Sequence, residues 1–324
     1  MDNNTTLDIE QLCIDTARAL AIDGVQKANS GHPGLPMGAA PMAHVLWAHQ
    51  MNYNPHNPAW PNRDRFILSA GHGCMLQYSY LYLTGYNCTL DDLKNFRQLN
   101  SKTPGHPEYG LLDGIEVTTG PLGQGFANGV GFAIAQQHLA ARFNRPGYEL
   151  FNYHIYAICS DGDMMEGVTS EAASLAGHLQ LGSLIYLYDD NHISIEGNTA
   201  LTFDEDVAAR FEAYNWHVQV LPDGNDVQAL KKALENAKAE TGRPSLIKVR
   251  THIGFGSPNK VDSASAHGSP LGAEEIKLVK KNFGLDPEKS FNVTDNVLEY
   301  YREAGEKGVE LEYKWNQLFG AYKL

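Results

Sequence analysis

Apolar positions along the chain alternate between two periods. Residues 8–28 place Leu12, Ala19, Ile22 and Val25 near one face, which predicts a helix with Asp8 as its cap. A Gly/Pro loop follows, Ser30-Gly31-His32-Pro33-Gly34, and then an apolar stretch, Met37–Met51, that reads as a second helix. The Pro/Asn-rich segment 52–64 leads into a short strand, 65–69. Gly71-His72-Gly73 then precedes a Tyr-rich helix over 74–84 and a short helix over 91–98. Residues 99–125 carry many turn residues and little periodicity. Beyond them, Ala127, Gly131 and Ala135 recur at spacing four in a predicted helix over 124–142. The runs 154–159 and 184–188 are nearly apolar throughout, as strands covered on both faces are. A helix over about 166–180 is predicted between them. Two further strands, 218–221 and 246–251, flank a helix over 226–239. The segment 252–272 is irregular and Gly/Ser-rich, and 273–324 reads as a mostly helical, charged tail of the same single unit. Strands alternating with helices predict an α/β fold: a parallel twisted sheet covered by helices on both faces. No internal repeat or low-complexity segment interrupts it.

The ends of the two central runs carry the first candidate chemistry. Ser160-Asp161-Gly162-Asp163 closes one run and Asp190-Asn191 closes the next, with Asp161 and Asn191 thirty positions apart. Carboxyl ends of neighbouring strands are where ligands lie in an open parallel sheet. A carboxylate and an amide carbonyl there suit a hard cation, Mg²⁺ or Ca²⁺, with the backbone carbonyl of Ile193 as a third ligand. Gly162 lets a diphosphate approach the backbone. The competing reading makes Asp161 and Asp163 caps of the helix at 166 and Asn191 a turn residue.

Histidines in glycine loops form the second signal. His32, His72, His106 and His267 each sit beside Gly or Gly/Pro, which leaves an imidazole reachable. Imidazole moves protons near neutral pH and donates hydrogen bonds to a developing oxyanion. His44, His49, His138, His178 and His217 lack that context and read as structural or surface residues. Gly120-Pro121-Leu122-Gly123-Gln124-Gly125 is neither a Walker A sequence nor a dinucleotide fingerprint. It is a rigid turn opening a helix, or a turn whose Leu122 meets a planar ring. Glu166 and Glu171 read first as helix-dipole partners; a Glu at a subunit contact is the alternative.

Composition narrows the partners. The net charge of −13 argues against nucleic acid and against an anionic membrane surface. The polar, acidic start does not read as a signal peptide. No run approaches the roughly eighteen apolar residues of a membrane helix. Cys13, Cys74, Cys88 and Cys159 show neither metal nor redox spacing and read as reduced thiols of a cytoplasmic protein, Cys159 in the core.

Taken in order, Ser30–Gly34, Gly71–Gly73, Gly105-His106-Pro107, Thr119–Gly125, Asp161–Gly167, Asp190-Asn191, Ile253–Ser257 and His267-Gly268 resemble the N-terminal, diphosphate-binding domain of the transketolases, from residue 8 to about 320. The resemblance implies thiamine diphosphate with Mg²⁺ or Ca²⁺ held by Asp161, Asn191 and the Ile193 carbonyl. It further implies that His72, Gly120, Gly162, Asn191 and His267 bind the cofactor, with Leu122 near its aminopyrimidine. His32, His106 and His267 then face a sugar phosphate donor as catalytic groups, and Glu166 lies near a subunit interface linking two cofactors. The implied reaction is reversible transfer of a two-carbon ketol unit. Ser160 departs from the glycine often first in the Gly-Asp-Gly form. The implied partner is a C-terminal subunit carrying the pyrimidine-binding domain, in a homodimer or heterotetramer, because the activating glutamate belongs to that domain. Two alternatives stand beside this reading: an α-type subunit of a 2-oxo acid dehydrogenase first component, and a non-catalytic cofactor-binding scaffold.

Overall fold

The computed structural model describes residues 3–323. Its strands are β1 (Arg65–Leu68), β2 (Ile155–Ser160), β3 (Leu184–Asp190), β4 (His217–Leu221) and β5 (Ser245–Arg250). They form one sheet in the order β1-β2-β3-β5-β4, with every pairing parallel. Parallel neighbours need long crossovers, and helices supply them here. The helices are α1 (Asn3–Ala28), α2 (Gly34–Val45), α3 (Met75–Thr84), α4 (Leu90–Lys94), α5 (Gln124–Phe143), α6 (Asp161–Met165), α7 (Gly167–His178), α8 (Val207–Ala213), α9 (Val227–Ala239), α10 (Ala273–Asn282) and α11 (Asp295–Tyr322).

Side chains of a strand alternate between faces, and both faces of this sheet are apolar. Phe66, Leu68, Tyr156, Ile158, Ile185, Leu187, Ile247 and Val249 pack with α1, α2, α3, α9 and α11. Ile67, Ile155, Ala157, Cys159, Leu184, Tyr186 and Leu246 pack with α5, α7 and α8 on the other side. Every residue of β1, β2 and β3 is buried, which is why those runs carry no period-two polarity. The predicted sheet with helices on both faces is the observed architecture. Val297 and Tyr301 of α11 are buried in the first of these cores, so the charged tail packs back on the sheet layer. All four cysteines are free and buried.

Several boundaries differ from the sequence reading. α1 reaches back to Asn3, so residue 8 is not its start; the Asp8 side chain lies outside the described part. α2 begins at Gly34 rather than Met37, because Pro36 falls in a first turn whose N–H groups need no helical partner. Its end is a π-helical turn, Leu46–Gln50, closed by Met51 N–H donating to the Leu46 carbonyl at 2.9 Å. The helix expected over about 166–180 is α7, and a separate short helix, α6, that the sequence reading did not include precedes it. The backbone is extended at Glu166 (ψ 136°), which separates α6 from α7. The helix expected over 91–98 is the single turn α4.

Candidate functional site

β2 and β3 run in register, Ser160 opposite Asp189, so their carboxyl ends are level. Asp161 and Asn191 therefore emerge side by side. Asp161 is 3% exposed. Its Oδ1 accepts from the Tyr188 hydroxyl at 2.5 Å, and its Oδ2 accepts from the His192 N–H at 3.0 Å. Asn191 donates from Nδ2 to Asp189 Oδ2 at 2.9 Å, and its Oδ1 accepts from the Ile193 N–H at 2.9 Å. With the NH₂ group held on a carboxylate, the amide cannot flip freely, and the carbonyl oxygen is kept on the side of the 191–193 turn. The Thr251 hydroxyl fixes Asp189 in turn.

Burial raises the Asp161 pKa to about 7, helped by the charges of Asp189 and Asp190 and opposed by the Tyr188 hydrogen bond. Among the described residues no cationic side chain pairs with it. A buried carboxylate lacking a cation, next to an amide oxygen, is a donor set that a hard divalent ion fits.

Asp163, two residues on, has a different role. It is fully buried. Its Oδ1 accepts from Ser69 Oγ and from the Gly123 N–H, each at 2.7 Å, and its Oδ2 accepts from the Ser160 N–H at 2.9 Å. Ser69 Oγ accepts in turn from the Phe126 N–H at 2.9 Å. One carboxylate thus joins the ends of β1 and β2 to the 119–125 loop. It also forms a capping box with Ser160 at the start of α6. The cap reading holds for Asp163 at α6, not for a helix at 166, and not for Asp161.

Two glycines set the loop's path. A Cβ on Gly162 would lie 2.8 Å from Leu122 Cδ1, so the Leu122 side chain rests on bare backbone. Gly123 has φ +77°, and a Cβ there would come within 2.9 Å of Glu166, Val168 and Thr169 at the start of α7.

The loop histidines converge above these strand ends. Ring centroids of His32 lie 5.0 Å from His72, 5.5 Å from His267 and 6.5 Å from His106. His72 and His267 are stacked at 5.2 Å. All four are half-buried. Burial depresses each pKa, His32 to about 4 with His267, Arg97 and His106 adding to the effect, and His72 well below the ordinary value. Four neutral imidazoles can donate and accept at pH 7. Arg97 ties two of their loops together, donating to Ser30 Oγ at 2.8 Å and to the Gly105 carbonyl at 3.4 Å.

A cleft of about 270 Å³ lies between the strand ends and the histidines. His32, His72, Gly120, Leu122, Asp161, Gly162, Asn191, Ile193 and His267 line it. Two candidates do not. His106 stands behind Gly120, and Glu166 is exposed at the junction of α6 and α7. Leu35, Met165, Ile195 and Ile253 add apolar walls, of which Leu35 and Ile195 lie outside the motifs. Tyr188, Asp189 and Thr251 were also missed. The one local signal for them is a Tyr and an Asp at the carboxyl end of an otherwise apolar strand.

Comparison with known proteins gives concordant matches. The family model for the thiamine diphosphate binding domain of transketolase matches residues 9–324. A transketolase of Halalkalibacterium halodurans is 57% identical over 315 residues, covering 97% of this chain and 47% of that protein. One of Nostoc sp. is 57% identical over 320 residues, covering 98% and 48% respectively. Among solved structures, the transketolase from Leishmania mexicana superposes with a TM-score of 0.95 at 50% identity, over 97% of this chain and 47% of that one. A Pichia stipitis transketolase in complex with sedoheptulose 7-phosphate gives 0.96 at 50% identity, over 98% and 47%. The chain spans about half the length of the relatives it matches.

Proposed function

This chain belongs to the transketolase family, as its thiamine diphosphate binding domain, and on that premise we propose that it forms half of the active site of a two-carbon ketol transferase. The substrates are sugar phosphates, in keeping with the sedoheptulose 7-phosphate bound by the similar Pichia stipitis enzyme. Family membership sets aside the 2-oxo acid dehydrogenase alternative. The glutamate that activates the aminopyrimidine belongs to the family's pyrimidine-binding domain, and we place that domain on a partner in a homodimer or heterotetramer. Among the described residues no helix is long and apolar enough to cross a membrane; we place the enzyme in the cytoplasm.

The observation that carries the reading is the pairing of Asp161 and Asn191 at level strand ends, facing three neutral histidines, His32, His72 and His267, across one cleft. Asp161, the Asn191 carbonyl and the Ile193 backbone carbonyl would hold Mg²⁺ or Ca²⁺. His72, Gly120, Gly162 and His267 would contact the diphosphate, while Leu122, supported on Gly162, would lie against the aminopyrimidine. When bound, thiamine diphosphate supplies the nucleophilic carbon of the reaction. His32 and His267, which line the cleft, would hold and move protons on the sugar hydroxyls and carbonyl, with His106 behind Gly120 as the third candidate for this role. Burial lowers their pKa values, so each neutral imidazole offers one N–H donor and one acceptor nitrogen to the substrate. Leu35 and Ile253 are buried apolar walls of the cleft and would limit bulk water there. Glu166, exposed here, would meet the partner subunit.

The test is a coupled ketol-transfer assay with thiamine diphosphate and Mg²⁺, with and without a co-expressed pyrimidine-domain chain. Activity only with the partner is expected. Strong activity of the lone chain would refute the shared site, and no activity with any partner together with no cofactor binding would favour a scaffold.

A further inference from the structure

A second cluster of ligand-bearing side chains lies away from the cleft, where α1, α2 and α9 meet α11. Glu10 of α1 and His44 of α2 are buried, with His44 fully enclosed. His49 sits in the π-helical turn that ends α2. That wide turn brings residues five apart onto one side, and the two imidazoles meet edge to face at 5.4 Å. Glu10 Oε1 lies 2.7 Å from His49 Nε2 and 3.7 Å from His44 Nε2. The candidate ligand atoms of all three residues fall within 4.8 Å of one another.

From this geometry we propose that Glu10, His44 and His49 form a binding site for a transition-metal dication of the Zn²⁺ type, outside the cofactor cleft. A tetrahedral ion with bonds of about 2.0–2.1 Å needs ligand atoms about 3.3 Å apart, which is the middle of the observed spacing. The donor set, two imidazoles and one carboxylate, is one that zinc and its neighbours take.

Three further observations point to a ligand. His44 Nε2 is buried and has no hydrogen-bond partner, although it is aimed at Glu10. The other nitrogen of that ring, Nδ1, is 2.8 Å from the buried Tyr301 hydroxyl, the outer contact that orients a metal-binding imidazole. Burial holds both histidines below their usual range, His49 to about 4, so their nitrogens are unprotonated ligands at pH 7. Glu10 is held ionised, His44 and then Lys231 being its neighbours.

Lys231 is the competitor. Its Nζ lies 2.6 Å from Glu10 Oε1 and supplies the cation that Glu10 otherwise faces. Tyr300 donates to the same oxygen at 3.1 Å. The Lys231 side chain is 20% exposed, so its stem can carry the ammonium outward when a dication enters past His49, itself 26% exposed. Metal and ammonium therefore exchange at one carboxylate. A metal there pins α1 to the end of α2, and its entry raises the unfolding midpoint of the chain.

The test is Co²⁺ titration of the full chain without thiamine diphosphate, followed by visible ligand-field absorption, with far-UV circular dichroism as a check on folding. Wild type should bind one Co²⁺ with the intense bands of a tetrahedral site. These bands should vanish in His49→Ala and Glu10→Gln, persist in Asp161→Ala, and weaken about 10–100-fold in affinity in Tyr301→Phe. Lys231→Met should tighten binding by roughly tenfold, since it removes a like charge at contact distance. A purely structural ion network predicts no such gain. Bands that survive His49→Ala, bands lost in Asp161→Ala, or no bands in both wild type and Lys231→Met would overturn the site.

Discussion

The Tyr188 hydroxyl donates to Asp161 Oδ1 at 2.5 Å, from one strand to the residue just past the end of its neighbour. Tyr188 is 1% exposed and Asp161 is 3% exposed, so neither group has water to fall back on. The bond aims the carboxylate and satisfies a lone pair that burial would otherwise leave bare. Tyr188→Phe fills the same space without the donor. It should lower stability by about 1–3 kcal/mol, the range for a buried acceptor left unpaired. It should also weaken metal-dependent cofactor binding about 10–100-fold, as loss of an outer partner of a metal ligand does. Urea unfolding and titration calorimetry measure the two effects; an unchanged cofactor affinity would mean that Tyr188 does not orient Asp161.

Asp163 predicts a separate phenotype. Asp163→Ala strips the acceptor from the Ser69 hydroxyl and from the Gly123 and Ser160 N–H groups in a site with no solvent. At about 1–3 kcal/mol for each buried donor left unmade, a loss of at least about 3 kcal/mol is expected. The 119–125 loop should loosen with it, seen as faster amide exchange at Gly123 and Phe126. A loss below about 1 kcal/mol would contradict the joining role.

Much of this site is legible along the chain. Short apolar runs that give way to Asp161 and to Asp190-Asn191 mark strand ends, because a strand covered on both faces carries no period-two polarity. What is not legible depends on contacts between distant segments. Asp163 reads locally as a helix cap, and it is one for α6, but its Ser69 partner is 94 positions away. The start of α7 near 166 is legible, but the short helix α6 over 161–165, set off from it by the extended Glu166, is not. His44 and His49 read as unrelated helix residues because five α-helical positions place side chains about 140° apart. The π turn, not the spacing, brings them together. His106 carries the same Gly/Pro signature as its three companions yet stands behind Gly120 rather than in the cleft lining.

The histidine cluster sets an acid limit on stability. His32 has its pKa lowered from the usual 6.5 to about 4, chiefly by burial, so the folded chain keeps it neutral where an unfolded chain would protonate it. Between about pH 6.5 and 4 the unfolded state binds the extra proton, and stability falls as pH falls through that window. His72, His106 and His267 are shifted in the same direction and add to the slope. His32 is half-buried, so solvent screening moderates its share. Denaturation midpoints measured from pH 7 to 4 should decline, and His32→Ala should flatten the decline. An equal slope in wild type and variant would show that His32 titrates normally.

The central claim is that Asp161 and Asn191 anchor a diphosphate through a divalent metal, while the histidines act on substrate. Calorimetric titration of thiamine diphosphate with and without Mg²⁺, in wild type, Asp161→Ala and His32→Ala, tests it most directly. The account predicts Mg²⁺-dependent binding in wild type, its abolition in Asp161→Ala, and near-wild-type affinity in His32→Ala. Equal loss of affinity in both variants, or Mg²⁺-dependent binding that survives Asp161→Ala, would contradict it.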